Sequence, residues 1–500
     1  MKQDVTASRK FYQVTNQSDR QASVRAVTGT TSSYEGDFHA LFDMAAIPAG
    51  DFNGRLLAWI NDYLGTSYAE INGAMNAFAV DQGSSSWDQL GVFDASGTPP
   101  PLRTVSQSNR LFSAQDRNAS RDSAVFRSFY IISDTTDLIF SINNWVVSSA
   151  GFTDGEPFTI VDASVDIGGT VVPLLFSGLR SVTVTAGQND FQSDPLYPSD
   201  FGLGSFPAGT IVWIKGRILL AAINTFLVEN SHRSIGEKTG CQFAWYLSSG
   251  TTVTSTDVTG VYTITSGAAL FARTYLFAPL LLGHNPVSDI MTVGLCGDSI
   301  GAGLTDGGFT ESGGGYFQRA AYGSGGSDVV PVINFSVGGT SSTDYIGKAK
   351  VQSLYKYVKA MGYAHAANEI NGTTILVDRQ NGFNTLVSEF KAGGIEKVFA
   401  VPPIARTTST DSFVSAANQT YLNAGWQPGG VADTFEAWEQ TQVGVTIDAF
   451  WPTTAIRDAT ENRKWKTDAV PQKWTQDGLH CKEQSNVDLA VVYVPLIRSI

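Results

Sequence analysis

The spacing of apolar residues changes along the chain, and each change limits what that part can fold into. Between residues 125 and 283, short alternating runs such as LIFSINNWVV, SVTVTAG, TIVWIKGRILL and VYTITSG are separated by clusters of Gly, Asp, Asn and Ser. This pattern is typical of the strands of a β-sandwich. From residue 289 onward, strand-like runs alternate with longer segments that suit helices, which predicts βαβ units around a parallel sheet.

Three regions follow from these changes. Residues 1–120 form an N-terminal region, in which the apolar spacing predicts a helical hairpin between about residues 38 and 80. Residues 125–285 are predicted to form a jelly-roll-like β-sandwich that binds carbohydrate or acts as a spacer. Residues 288–500 are predicted to form an α/β domain. The fold class is therefore multidomain, α/β plus all-β, with ligands expected at the carboxyl ends of the parallel strands.

Composition narrows the choice of partner and location. The formal net charge is -13 and no run of Lys or Arg occurs, which argues against a nucleic-acid partner. No stretch approaches the roughly 18 uninterrupted apolar residues of a membrane span, and the first residues lack the apolar core of a signal peptide. We therefore expect no membrane insertion, and a virion or extracellular location reached by lysis, a particle or a dedicated secretion system.

The stretch VGLCGDSIGAG, residues 293 to 303, places Ser299 where the first strand of the α/β region should end. The tripeptide alone also suits an ordinary turn serine, because Gly and Ser are frequent in this chain. GDSIG fits the G-x-S-x-G pattern of α/β-hydrolases, but in those enzymes the serine follows several strands of the sheet. Ser299 instead follows the first strand of its region, so that match is misleading.

A serine nucleophile needs a base and a group that orients the base. Near the end of the sequence, WTQDGLHC places Asp477 three residues before His480. At this spacing a carboxylate can fold back on the imidazole Nδ1 and leave Nε2 directed at the serine. A surface turn followed by a helix N-terminus is the alternative for this motif taken alone. A strand-end Gly-Asp-Ser in the same α/β region favours the catalytic interpretation.

Together these motifs resemble the SGNH hydrolase family, also called GDSL esterases. The resemblance covers roughly residues 289 to 500 and implies a flavodoxin-like α/β/α domain with a parallel sheet. It further implies a serine esterase in which Ser299 is the nucleophile, His480 the base and Asp477 its partner, with no cofactor and no metal. Asp298 is then a turn-forming residue.

The family's two remaining blocks predict an oxyanion hole. VINFSVGGTSS matches the second block, with Gly339 the better match and Gly338 the fallback. AHAANEI is the nearest match to the third block and gives Asn368, although Ala366 and Glu369 stand where the family has glycine and aspartate. The resemblance implies that the N–H groups of Ser299 and Gly339 and the side-chain amide of Asn368 stabilise the oxyanion.

Four further residues have two interpretations each. Trp474 either stacks on a sugar or covers the core, and His365 either lines the substrate pocket or is structural. Cys296 and Cys481 flank the site in sequence, either as packed thiols or as a disulfide. The histidines lack metal-site spacing, so no metal is expected.

The biological setting is suggested by a second resemblance. The segment of residues 47–83, from IPAGDFNG to AVDQG, is similar to leader segments of phage and prophage virion proteins. The expected substrate is an acetylated bacterial surface glycan, with virion or tail proteins as partners of the N-terminal region and a homotrimer as the assembly. Two alternatives stay open: an inactive receptor-binding or structural virion protein, and a bacterial carbohydrate esterase without a particle.

Overall fold

The computed structural model describes residues 10–13, 24–27, 101–148, 151–229, 241–249, 251–265, 270–271, 277–285, 290–307, 314–325 and 328–500. The chain divides into two compact units. In the first, residues 1–101 and 284–289, strands β1 (Lys10–Gln13) and β2 (Val24–Val27) pair antiparallel. The helical hairpin predicted between residues 38 and 80 lies outside the described residues.

The second unit, Leu102–Gly283 and Ile290–Ile500, begins with a region rich in strands. Its strands are β3 (Leu102–Thr104), β4 (Asn109–Arg110), β5 (Ala114–Arg117), β6 (Ser123–Ile131), β7 (Ile139–Ile142), β8 (Trp145–Ser148), β9 (Gly151–Asp154), β10 (Phe158–Ile167), β11 (Thr170–Pro173), β12 (Val182–Val184), β13 (Phe191–Gln192), β14 (Ile211–Leu220), β15 (Phe226–Glu229), β16 (Gln242–Tyr246), β17 (Thr252–Val253), β18 (Ile264–Thr265), β19 (Leu270–Phe271) and β20 (Leu280–His284). One sheet has the order β11-β10-β14-β6-β16-β19, with β12 also paired to β10, and a second has the order β13-β7-β20-β3. The predicted β-rich region is confirmed, and its jelly-roll order stays a prediction.

The second of these sheets has an apolar layer on each face. Successive side chains of a strand point to opposite sides of its sheet. Phe140 and Leu281 therefore pack into the core between the two sheets. Their neighbours Ile139 and Leu282 pack into a different cluster, together with residues of the α/β region such as Phe335. The sandwich is thus packed directly against the α/β layer.

The α/β region contains the remaining strands and the helices. Its strands are β21 (Val293–Gly297), β22 (Val332–Asn334), β23 (Ala360–Ala364), β24 (Lys397–Ala400), β25 (Thr407–Ser409), β26 (Gln419–Tyr421) and β27 (Ala449–Phe450). Its helices are α1 (Tyr316–Tyr322), α2 (Ala349–Gln352), α3 (Leu376–Ala392), α4 (Val431–Thr441) and α5 (Glu483–Ser499). None of the helices described in this chain is long and apolar enough to cross a membrane.

A parallel sheet of order β27-β24-β23-β21-β22-β4 lies at the centre of this region. The chain moves from β21 to β22 on one side and then returns to β23 on the other. This reversal opens a crevice at the carboxyl end of β21, which is where ligands bind in open α/β sheets. The edge strand β4 comes from residues 109–110, ahead of the β-sandwich in sequence.

Helices cover both faces of the parallel sheet, as α/β architecture requires. On one face, Phe317 of α1 and Tyr493 of α5 pack into the same cluster. On the other face, Phe383 of α3 and Phe435 of α4 do so. The predicted alternation of strands and helices is confirmed.

One predicted helix is broken into pieces. The segment STDYIGKAKVQSLYKYVKAM suits a continuous helix by its apolar spacing, but it forms two short 3-10 helices (Ser342–Asp344 and Tyr355–Tyr357) around α2. Gly347 has a φ of 73°, which ends the first helical turn. Buried aromatic side chains on several sides of the segment, among them Tyr345 and Tyr357, then favour packing over helical continuity.

Candidate active site

Strand β21 ends two residues before Ser299 and thereby positions this serine in the crevice. All five residues of the strand are buried, as expected for a central parallel strand with both faces covered. The chain then makes a tight turn, in which the N–H of Ala302 donates to the carbonyl of Asp298 at 2.9 Å and that of Leu304 to the carbonyl of Ser299 at 2.9 Å. Ser299 is 5% exposed, so its hydroxyl stands in a largely desolvated position.

The carboxylate of Asp298 connects the serine turn to the loop after β23. It accepts hydrogen bonds from the N–H of Ile300 at 2.9 Å and from the N–H of Ala367 at 3.2 Å. Burial raises the pKa of Asp298 to about 6, although these N–H groups act in the opposite direction. Asp298 therefore organises the backbone and does not face a substrate.

The predicted base and its partner meet Ser299 in space. Nε2 of His480 lies 2.9 Å from Oγ of Ser299. On the other side of the imidazole, Nδ1 lies 2.6 Å from Oδ2 of Asp477. These separations suit hydrogen bonds. With Nδ1 donating to the carboxylate, Nε2 is left as the acceptor for the serine hydroxyl proton.

Backbone hydrogen bonds hold Asp477 in this position. Its Oδ1 atom accepts from the N–H of His480 at 2.8 Å and from the N–H of Leu479 at 2.9 Å. Burial would raise the pKa of Asp477, but these donors and the imidazole of His480 outweigh it and hold the pKa below its ordinary value. Asp477 is therefore an ionised carboxylate, and it can orient the imidazole of His480.

The turn that carries Asp477 and His480 is docked on the hairpin formed by β25 and β26. The N–H of Thr407 donates to the carbonyl of Gly478 at 3.0 Å. The same carbonyl accepts from Nε1 of the buried Trp465 at 3.0 Å. Gly478 has a φ of 77°, and a Cβ at this position would lie 1.7 Å from the carbonyl oxygen of Thr407. Only glycine allows this close approach.

Two glycines follow β22 beside the serine, and both are exposed. A Cβ on Gly338 would lie 3.8 Å from Cβ of Ser299, so Gly338 borders the nucleophile directly. Gly339, the better sequence match, has a φ of 81°. The side-chain amide of the exposed Asn368 donates one hydrogen bond to the carbonyl of Thr340 at 2.9 Å. An amide has a second N–H, which this arrangement leaves for an oxyanion.

Glu369, which departs from the family's third block, has a structural role in this chain. Its Oε1 atom accepts from the N–H of Ser342 at 3.0 Å, and its carboxylate pairs with Arg379 at 2.5 Å. Burial would raise the pKa of Glu369, but the guanidinium of Arg379 outweighs it and lowers the pKa. The longer side chain thus ties the Asn368 loop to the segment after β22 and to α3.

Sequence reasoning missed the residues that hold the chain after Ser299. Arg110, on the edge strand β4, donates to the carbonyl of Ala302 at 2.7 Å and to that of Gly314 at 2.6 Å. Asp306 accepts from the N–H of Gly315 at 2.7 Å and pairs with Arg319. No motif marks Arg110, because it lies some 190 residues before the serine and enters the site only through strand pairing.

The two additional substrate contacts suggested by the sequence are not available to a substrate. His365 is 1% exposed, and its Nε2 atom lies 3.5 Å from Sγ of Cys296. Burial lowers the pKa of His365 to about 4, so it is a neutral core residue. Trp474 is 4% exposed, and its Nε1 donates to Asp488 of α5 at 2.9 Å. Their structural interpretations are the ones that fit.

The described residues contain neither a disulfide nor a metal site beside the serine. Cys296 and Cys481 are buried free thiols, which removes the disulfide alternative. Within the parts of the chain that the structure describes, no group of three or more His, Cys, Asp or Glu side chains is placed to hold a metal ion.

No protein-family model matches the chain, and no curated protein matches it. Among solved structures, a GDSL-like lipase from Bacteroides thetaiotaomicron is similar over 43% of this chain and 91% of its own, with 14% identity and a TM-score of 0.31. A catalytic variant of an acetylxylan esterase from Geobacillus stearothermophilus is similar over 41% of this chain and 94% of its own, with 13% identity and a TM-score of 0.30. At these values, function has to be inferred from the site itself.

Proposed function

We propose that this chain is a serine esterase of SGNH type that removes O-acetyl groups from a bacterial surface polysaccharide. The observation that carries the esterase proposal is the relay of Ser299, His480 and Asp477, with separations of 2.9 and 2.6 Å. It stands at the carboxyl end of β21, in the crevice where the order of the parallel sheet reverses. A nucleophile, a base and an oriented carboxylate are the parts that acyl transfer needs.

In the first half of the reaction, Oγ of Ser299 attacks the ester carbonyl while Nε2 of His480 takes the hydroxyl proton. The resulting imidazolium is stabilised by the carboxylate of Asp477. The protonated Nε2 then donates its proton to the alcohol oxygen, and the sugar leaves with a free hydroxyl group. The acetyl group stays on Ser299 as an ester.

In the second half, His480 takes a proton from water, and the water oxygen attacks the acetyl carbonyl. The bond between this carbon and Oγ of Ser299 then breaks, Nε2 of His480 returns the proton to Oγ, and acetate leaves. Both steps pass through an oxyanion, for which the N–H groups of Ser299 and Gly339 and the second N–H of Asn368 are the proposed donors. Losing one donor of this kind commonly costs about 3 kcal/mol in the transition state. Water is the only co-reactant, so the reaction needs no cofactor.

The glycan substrate is supported by the β-sandwich that packs on the α/β layer, which suits an enzyme acting on a polymer. The test is acetate release from an acetylated bacterial polysaccharide, followed by mass spectrometry of the glycan, together with turnover of p-nitrophenyl acetate. Ser299→Ala should lower both rates by at least about a thousandfold. Equal rates in the wild type and the variant would refute the relay. No turnover by either would favour an adhesive virion protein.

Association with a virus particle is a separate part of the proposal. It rests on the resemblance of residues 47–83 to leader segments of virion proteins. We propose that the N-terminal region binds virion or tail proteins and that the chain works as a homotrimer. Detection of the protein in purified virions and a trimer mass in light scattering are the expected results. A monomer that is absent from particles would support a bacterial carbohydrate esterase.

A further inference from the structure

Arg406 lies between the oxyanion loop and the acid–base turn of the candidate site. Its Nη1 atom donates to the carbonyl of Ala367, the residue before Asn368. The residue after it, Thr407, is hydrogen-bonded to Gly478 in the turn that carries His480. The guanidinium is therefore bound to the loop that carries Asn368, and the backbone next to Arg406 is bound to the turn that carries His480.

The guanidinium of Arg406 is charged and only half-buried. Burial lowers the pKa of Arg406, and the carboxylates of Asp298 and Asp477 act in the opposite direction. An arginine stays protonated at neutral pH in either case. On one side the guanidinium carbon lies 6.0 Å from the ring centroid of Trp426, which is fully buried. The guanidinium thus lies over an apolar ring and is only partly covered.

The guanidinium of Arg406 has donors that this chain does not use. Among the described residues, its side chain makes the one hydrogen bond to Ala367 and forms no ion pair with a carboxylate. More deeply buried arginines near the site are paired: Arg319 with Asp306, and Arg379 with Glu369. A guanidinium carries five N–H donors in a fork that fits a carboxylate. Partial burial of the charged guanidinium without a hydrogen-bonding partner is unfavourable. An anionic ligand that pairs with it would offset this unfavourable free energy.

We propose that Arg406 binds a carboxylate of the substrate, so that the preferred substrates are acetylated acidic sugars, such as uronic acids, and not neutral ones. This proposal rests on the proposed esterase function and names its substrate class. The net charge of -13 disfavours the approach of an anionic glycan at long range. Screening confines that effect to about 8 Å at physiological ionic strength. At short range, the guanidinium of Arg406 beside the acyl-transfer site then determines whether an acidic or a neutral sugar binds better.

The test compares two substrates that differ only in charge: an O-acetylated methyl glucuronoside and its carboxamide. Acetate release is measured for wild type, Arg406→Gln, Arg406→Lys and the control Arg180→Gln. Arg180 lies in the β-sandwich region, paired with Asp257. We expect wild type to prefer the carboxylate by about tenfold or more in kcat/KM, which is the usual scale of a hydrogen bond to a charged group. Arg406→Gln should abolish this preference through KM, Arg406→Lys should keep part of it, and Arg180→Gln should keep it all.

The outcomes separate specificity from a merely structural role. If Arg406→Gln loses activity equally on both substrates, Arg406 only positions Ala367 and the proposal fails. An unchanged preference in Arg406→Gln would also overturn it. If wild type releases acetate from neither substrate, the esterase proposal fails for them. Calorimetric binding of the same pair to Ser299→Ala, with and without Arg406→Gln, then decides the carboxylate proposal by itself: equal affinities for the two sugars would reject it.

Discussion

The carboxylate of Asp477 contacts His480 twice, through Oδ2 to the ring Nδ1 at 2.6 Å and through Oδ1 to the backbone N–H at 2.8 Å. Oδ1 also accepts from the N–H of Leu479. An asparagine at this position would keep its oxygen on the two backbone donors and turn its NH₂ group toward Nδ1. The imidazole would then carry its proton on Nε2, where it cannot accept the proton of Ser299.

Asp477→Asn should therefore lose more activity than Asp477→Ala. In the alanine variant, water can replace the carboxylate as acceptor, because the side chain of Asp477 is 46% exposed. We expect kcat to fall by about a thousandfold or more for Asp477→Asn, with a smaller fall for Asp477→Ala and little change in KM for either. Kinetics on p-nitrophenyl acetate measures both. The reverse order of the two variants would contradict the assignment of the Nδ1 hydrogen bond.

Gly478 is expected to be essential for a steric reason. In Gly478→Ala, the new Cβ would meet the carbonyl oxygen of Thr407, and the turn carrying His480 would have to move. We expect kcat to fall by about a hundredfold, since small misplacements of catalytic groups have effects of this size. Gly444→Ala is the matched control, because Gly444 has the same φ of 77° but open space around it. Loss of activity in both variants would mean that backbone strain, not the contact with Thr407, is responsible.

The sequence predicted the relay because its parts are local signals. Gly-Asp-Ser at a strand end and Asp-x-x-His near the C-terminus depend on spacings of one to three residues, and periodicity places them on the carboxyl edge of a sheet. Strands β22, β24 and β27 fall within predicted strand-like runs, and β21 and β23 overlap theirs in part. Contacts between different elements were harder to predict. The sequence showed that Glu369 departs from the motif, but it did not show the ion pair with Arg379.

Contacts that join distant segments could not be read from periodicity. Strand β4 completes the parallel sheet with only two residues, which is too short to show a period of two. Arg406 and Arg110 look like ordinary surface arginines in the sequence, since no flanking motif distinguishes them. The sequence left two roles possible for His365 and for Trp474, a substrate contact or a core residue. Burial decides between these roles, and burial is a property of the folded chain.

Arg110 should support the position of the chain after Ser299. Arg110→Met would leave the buried carbonyls of Ala302 and Gly314 without their donor, at a cost of about 1–3 kcal/mol each. We expect a lower melting temperature together with a kcat reduced about tenfold and a nearly constant KM. Arg103→Met is the control, because Arg103 also donates to two backbone carbonyls, at Lys356 and Val358, but does not contact the serine loop. It should lose stability only, and an equal loss of kcat in this control would remove the special role of Arg110.

Asp298 should make the stability of the protein depend on pH in the sense opposite to most carboxylates. Its pKa is raised by burial to about 6 in the folded chain, against about 4 in an unfolded one. The folded state thus binds this proton more tightly, so the stabilisation is complete below about pH 4 and is lost as the pH rises through about 6. The loss amounts to about 3 kcal/mol.

Asp298→Asn removes this titration while keeping an oxygen that can accept from Ile300 or Ala367. We therefore expect the free energy of unfolding of wild type, relative to that of Asp298→Asn, to decrease by up to about 3 kcal/mol between pH 4 and pH 7. Urea unfolding followed by tryptophan fluorescence at several pH values measures the difference. All other titrating groups are common to the two proteins, so their contributions cancel. A difference that is constant with pH, or that grows in favour of wild type, would show that the carboxylate of Asp298 is not held at a raised pKa.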